Sequence, residues 1–92
     1  MSQLNKEITF QDNTSRLRIE QKQDYFLLYI LEIKCGRHIE KVYKFKDLLS
    51  YTYDCHTFQI IVLWNDIDII INFNCINDRD KNQVLDLIRP LL

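Results

Sequence analysis

Residues 57–75, TFQIIVLWNDIDIIINFNC, decide how this chain is read. The stretch divides at Asn65-Asp66 into two runs of β-branched and aromatic residues, and a two-residue Asn-Asp linker suits a type I′ hairpin turn. Side chains alternate across a strand. Phe58, Ile60, Val62 and Trp64 therefore share one face with Ile67, Ile69, Ile71, Phe73 and Cys75, and this is the expected core. The opposite face should be polar, and Gln59, Asp68, Asn72 and Asn74 are. Yet Ile61, Leu63 and Ile70 also lie there. What covers a second apolar face is the question the chain poses.

Working outward, period two continues almost to both ends. Strands are predicted over 7–11, 16–22, 25–34, 38–45, 49–54, 57–64 and 67–75. Asp12-Asn13-Thr14-Ser15 and Cys35-Gly36-Arg37 supply turns, the latter with the only glycine. Ile8 and Phe10, and then Leu17 and Ile19, point inward. In the third strand Tyr25, Leu27, Tyr29, Leu31 and Ile33 form a complete apolar face, taken as core, and Phe26, Leu28 and Ile30 lie on the reverse. After residue 77 the period becomes helical. Asn77 and Asp78 are good N-caps, and Val84, Leu87, Ile88 and Leu91 fall on one stripe. Pro90 ends the helix, giving expected bounds of 78–89.

The expected fold is mostly β, a seven-stranded antiparallel two-sheet barrel or sandwich closed by one C-terminal helix, with residues 1–92 a single domain. That order resembles the pleckstrin-homology-like superfold, polo-box-like members included. The segment KVYKFKDLLSYTYDCHTFQIIVLW, residues 41–64, is similar to the family's middle, where an apolar strand end leads into a strand, a turn and a strand with buried aromatics. The helix here lacks the Trp of common members.

Composition narrows the function. Hydrophobic residues make up 47% and charged residues 27%, which suits a globular domain. The net charge of −1 gives no reason to expect nucleic acid. Charge is uneven: residues 1–46 hold nine Lys or Arg against six Asp or Glu, and residues 47–92 hold three against seven. The densest basic run is Lys34, Arg37, Lys41, Lys44 and Lys46, which suits a solvated strand edge. Three cysteines make no even disulfide framework, and no apolar leader opens the chain, so a cytoplasmic, reducing setting is expected. The scarcity of Ala, Gly and Pro, whose codons are G/C-rich, points to an AT-rich genome.

No motif for catalysis is present. There is no Gly-rich phosphate loop, no nucleophile elbow and no paired carboxylates at a helical offset, so the chain is expected not to be an enzyme and to need no cofactor. Cys35-x-x-His38, Cys55-His56 and Cys75 are borderline metal ligands, but Cys55 and His56 would face opposite ways on a strand, and no metal is expected. The resemblance implies a second option. Lipid-binding members hold inositol phosphates with basic residues at i and i+2 of the second strand. Arg16 and Arg18 have that spacing, with Lys22, Lys41 and Lys44 as supplements, although Glu7 and Asp12 would half-neutralise the cradle.

Three explanations compete for the second apolar face: cover by the helix, a register shift at a strand bend, or a partner. The expected function is the third. The chain would be a non-enzymatic interaction module, a scaffold in an intracellular assembly, burying an outer sheet face of Ile61, Leu63 and Ile70, with Phe26, Leu28 and Ile30 alongside, or adding a strand at a sheet edge, against another protein or another copy. A contact between copies is expected to be two-fold. Phosphoinositide-dependent membrane recruitment through Arg16 and Arg18 is the alternative.

Overall fold

A computed structural model describes residues 4–11, 15–75 and 77–92. The described chain is mostly β: two antiparallel sheets of four and three strands, then one C-terminal helix. Contacts divide it into two units, Met1–Lys44 and Phe45–Leu92. No described helix is long and apolar enough to cross a membrane.

The first unit is a meander of β1 (Asn5–Thr9), β2 (Ser15–Gln21), β3 (Phe26–Lys34) and β4 (Arg37–Phe45, its last residue just past the division), hydrogen-bonded in chain order. Three of the expected turn residues, 12–14, lie outside the described residues. Ile8 pairs with Leu17 and Leu17 with Ile30, while Ile19 pairs with Leu28. All five side chains are buried, and Phe10 joins them. Burying each such side chain stabilises the fold by about 1.5–3 kcal/mol.

That register corrects the expected facing of β3. Paired residues point to the same side of a sheet. Leu28 and Ile30 must therefore share the inner face with Ile19 and Leu17, and Phe26 follows them by alternation. Leu27, Tyr29 and Leu31, paired with Glu20, Arg18 and Arg16, lie on the outer face and are only half-buried. Phe26, Leu28 and Ile30 are thus not part of an exposed patch: Leu28 and Ile30 are buried, and Phe26 is half-buried. Both faces of β3 are apolar, so its own sequence does not choose between them. The neighbouring β2, which is apolar on one face only, does.

The second unit comprises β5 (Asp47–Asp54), β6 (Thr57–Trp64), β7 (Ile67–Asn74), α1 (Asp78–Ile88) and a 3-10 turn, Arg89–Leu91. Its rows run Tyr53–Phe58–Phe73 and Tyr51–Ile60–Ile71 across the three strands. Phe58 stacks on Phe73 at 5.4 Å between ring centroids, and Tyr53 meets its edge at 5.5 Å. Strand β5 starts earlier than expected because of a bulge. Leu48 pairs with Val62 and Ser50 with Ile61, leaving Leu49 as the extra residue. One inserted residue interrupts the alternation that would have revealed the strand's start.

Two further expectations are corrected. Trp64 is half-buried rather than central, and its partner Ile67 is 64% exposed. They form the last pair before the turn, with no further β6–β7 pair beyond them. The helix buries Val84, Leu87 and Ile88 as expected, whereas Leu91 sits half-buried in the 3-10 turn Arg89–Leu91, which contains Pro90. Pro has no N–H to continue the α-helical ladder.

All three two-residue hairpins use left-handed turn residues. Cys35 and Gly36 have φ of 51° and 74°, Cys55 and His56 49° and 65°, and Asn65 and Asp66 53° and 62°. This is the type I′ pattern, whose twist matches that of the flanking strands. Cys55 and His56 are therefore turn residues, not neighbours within a strand.

Candidate functional site

The outer face of the first sheet gathers the arginines. Arg16 and Arg18 share it with Tyr29 and Leu31, and Glu7 and Glu40 complete the lining of a cleft of about 120 Å³. The Arg18 guanidinium lies over the Tyr29 ring at 4.1 Å, a stacked cation–π contact. It also reaches the Glu20 carboxylate at 3.6 Å. Glu20 in turn holds Lys22 at 3.1 Å. The Lys22 ammonium beside it, more than any other group, keeps the Glu20 carboxyl below its ordinary range, and Glu20 raises the Lys22 pKa in return. Arg16 has no acidic partner among the described residues and is exposed.

Of the five cations expected to form a lipid cradle, the fold brings some together. Arg16 and Arg18 share a face, and Lys22 joins Arg18 through Glu20. Lys44 stands over the Tyr25 ring at 4.1 Å. Glu40 lines the arginine cleft, so alternation along β4 puts Lys41 on the opposite side. Lys41 is thus removed from the set. The carboxylates of Glu7, Glu20 and Glu40 occupy the same face as the arginines. Sequence reasoning missed Tyr29 and Leu31 as cleft residues, because it assigned their face to the core. The signal that locates them is the pairing of Arg18 with Tyr29 and of Arg16 with Leu31.

The outer face of the second sheet holds Ile61, Leu63 and Ile70. Ile61 pairs directly with Ile70, and Ile70 is 57% exposed. Ile61 and Leu63 are half-buried. Leu63 stands between two carboxylates, since it pairs with Asp47 on one side and Asp68 on the other. Gln59 donates a hydrogen bond to Asn72 at 3.1 Å, closing the polar end of the face. Leu63 also borders an open cleft of about 290 Å³ lined by Lys46, Asp47, Trp64, Asn65 and Asp66. Within this unit the Lys81 ammonium lies 4.8 Å from the Tyr53 ring centre. Tyr53 pairs with Phe58, so that contact is on the inner face, away from Ile61 and Ile70.

The cysteines are dispersed over two turns and one strand end. Cys35 and Cys55 are exposed, Cys75 is buried, and all three are free. No three His, Cys, Asp or Glu side chains among the described residues converge as metal ligands. Burial pushes the Cys75 thiol up to about 11, with Asp80 adding to the effect. A hydrogen bond with Asp54 is the main cause that raises the Cys55 thiol.

No family model matches the chain, and neither a curated protein nor a solved structure matches it.

Proposed function

We propose that the chain is a non-enzymatic protein-interaction module that buries the outer face of its three-stranded sheet against another protein or another copy. The observation that carries this reading is the Ile61–Ile70 pair: an aliphatic pair with Ile70 exposed and Ile61 half-buried, on the face opposite Phe58 and Phe73, beside Leu63 and edged by Asp47, Asp68 and Asn72. An apolar centre inside a polar rim is the composition of a protein interface. The proposal includes a pleckstrin-homology-like architecture, a barrel or sandwich sealed at one end by α1. Seven antiparallel strands in chain order and one C-terminal helix support it. It also places the chain in a reducing cytoplasm, in keeping with the odd number of cysteines.

The test is the double change Leu63→Glu with Ile70→Lys, compared with wild type by co-purification and by mass in solution. Loss of association with an unchanged circular dichroism spectrum supports the reading. A folded double variant that keeps every wild-type association overturns it.

Phosphoinositide recruitment stays as a second reading because Arg16 is exposed and has no acidic partner among the described residues. Glu7, Glu20 and Glu40 on the same face argue against it, since each repels a phosphate. Liposome flotation with Arg16→Ala and Arg18→Ala separates the two readings.

A further inference from the structure

We infer that the occupant of the Ile61–Leu63–Ile70 face is the β3–β4 hairpin arm of a second copy, docked head to tail. This rests on the proposed interaction face and names its partner.

The arm is a continuous segment of ten residues, 33–42, every one of them exposed. Strand faces alternate, so exposure without a break means that both faces of this hairpin are in water. A two-stranded ribbon with both faces solvated is marginal in stability and gains from being covered. The arm nonetheless carries apolar side chains: Ile33 and Ile39 are each 38% exposed and Val42 is 52% exposed. It also carries three cations, Lys34, Arg37 and Lys41, against one carboxylate, Glu40. Arg37 and Lys41 have no acidic partner among the described residues. Lys34 is matched locally by Glu32 at 3.4 Å.

The face has the opposite character. Asp47 and Asp68 flank Leu63 directly, and Asp66 lies at the adjoining turn. Lys46, beside Asp47, is the one cation lining the neighbouring cleft. The two surfaces are complementary in both respects that matter: each offers exposed aliphatic side chains, and their flanking charges are opposite.

The same charges argue against the two-fold contact expected from the sequence. A two-fold axis through the Ile61–Ile70 pair would bring the Asp47–Asp68 rim of one copy towards that of the other, and like charges brought together oppose association. A head-to-tail contact pairs arm with face and leaves an unused face on one copy and an unused arm on the other. It can therefore extend beyond two chains.

Two variants test this, each changed at an exposed position. Val42→Asp disables the arm, and Ile70→Asp disables the face. Light scattering of the wild type should show a mass that rises with concentration past that of two chains. It should fall when sodium chloride is raised from about 50 mM to about 500 mM, which shortens the screening length to a few ångströms. Each variant alone should be monomeric. Their equimolar mixture has one competent junction, the arm of Ile70→Asp on the face of Val42→Asp, and should stop at a one-to-one dimer. If either variant is unfolded by circular dichroism, Lys41→Ser and Asp68→Ser, which remove one charge from the arm and one from the face, replace the pair, with the same expected mixture. A wild type that stays monomeric at all concentrations overturns the head-to-tail inference, while the wider interaction reading is judged by its own double variant. A Val42→Asp protein that still dimerises, with a mixture that forms no new species, also overturns it and favours the two-fold contact.

Discussion

Phe58 and Phe73 face each other across β6 and β7 with ring planes 2° apart. Tyr51 and Tyr53 of β5 also pack on Phe58, at 5.7 Å and 5.5 Å. One fully buried ring thus joins all three strands of the second sheet. Phe58→Ala should cost about 3–5 kcal/mol and leave a domain of this size largely unfolded. Trp64→Ala, at a half-buried strand end, should cost roughly 1–2 kcal/mol. Urea titrations of both variants check the order. A larger loss at Trp64 would mean that the sheet is centred on its turn end.

Asn77 caps α1 reciprocally with Asp80. The Asp80 N–H donates to Asn77 Oδ1 at 2.9 Å, and Asn77 Nδ2 donates to Asp80 Oδ2 at 2.9 Å. The second bond satisfies one oxygen of a carboxylate that is only 1% exposed. Asn77→Ala should destabilise by about 1–2 kcal/mol, through the lost cap and the lost bond to the buried Asp80 carboxylate. Asn77→Asp keeps the acceptor but sets two carboxylates together, and should recover less than Asn77→Ser. Thermal melts of the three variants give the ranking.

The turns offer a stabilising change. A left-handed backbone costs an ordinary L-residue roughly 1 kcal/mol or more, and Asn and Gly tolerate it best. Cys55 and His56 both adopt it. Replacing them by Asn-Gly should raise the melting temperature. Gly36→Ala should lower it, by backbone strain alone, because a Cβ at that position meets nothing within 4 Å. An unchanged melting temperature in Gly36→Ala would show that the arm carries none of the fold's stability.

The three thiols should differ in reactivity. Thiolate is the reacting form; Cys35 and Cys55 are exposed and Cys75 is buried, and a hydrogen bond with Asp54 raises the Cys55 thiol. Alkylation of the folded protein should proceed at Cys35 first, at Cys55 more slowly because of Asp54, and at Cys75 only on unfolding. Peptide mass mapping over time reads this order directly.

Cys75 also makes stability depend on pH. Its thiol titrates at about 11 in the fold against an ordinary 9.0. The folded state holds the proton more tightly, so this contribution is complete below pH 9 and is lost as pH rises from 9 through 11. Urea midpoints of wild type and Cys75→Ala should converge over that interval. Parallel lines would show that the thiol is not desolvated.

The sequence by itself determined the elements whose signals are local. Strand β6 ends where Asn65-Asp66 makes a turn, and those two residues alone have the side chains for it. The helix is capped by Asn77 and gives way after Ile88 to a 3-10 turn containing Pro90, for reasons contained in one turn of chain. The outward placement of Ile61, Leu63 and Ile70 was also legible, because Asp68, Asn72 and Asn74 mark that face as the wet one. Only tertiary structure decided the facing of β3. Its two faces are nearly equal in hydrophobicity, and the choice is made by hydrogen-bonding to β2, whose Leu17 and Ile19 are apolar among charged neighbours. With that choice, Tyr29 and Leu31 moved from the expected core to the arginine cleft, and Leu28 and Ile30 moved from the expected patch to the core. Trp64 needed the same information, because a strand's alternation says which side a residue faces and nothing about how far along the strand the cover extends.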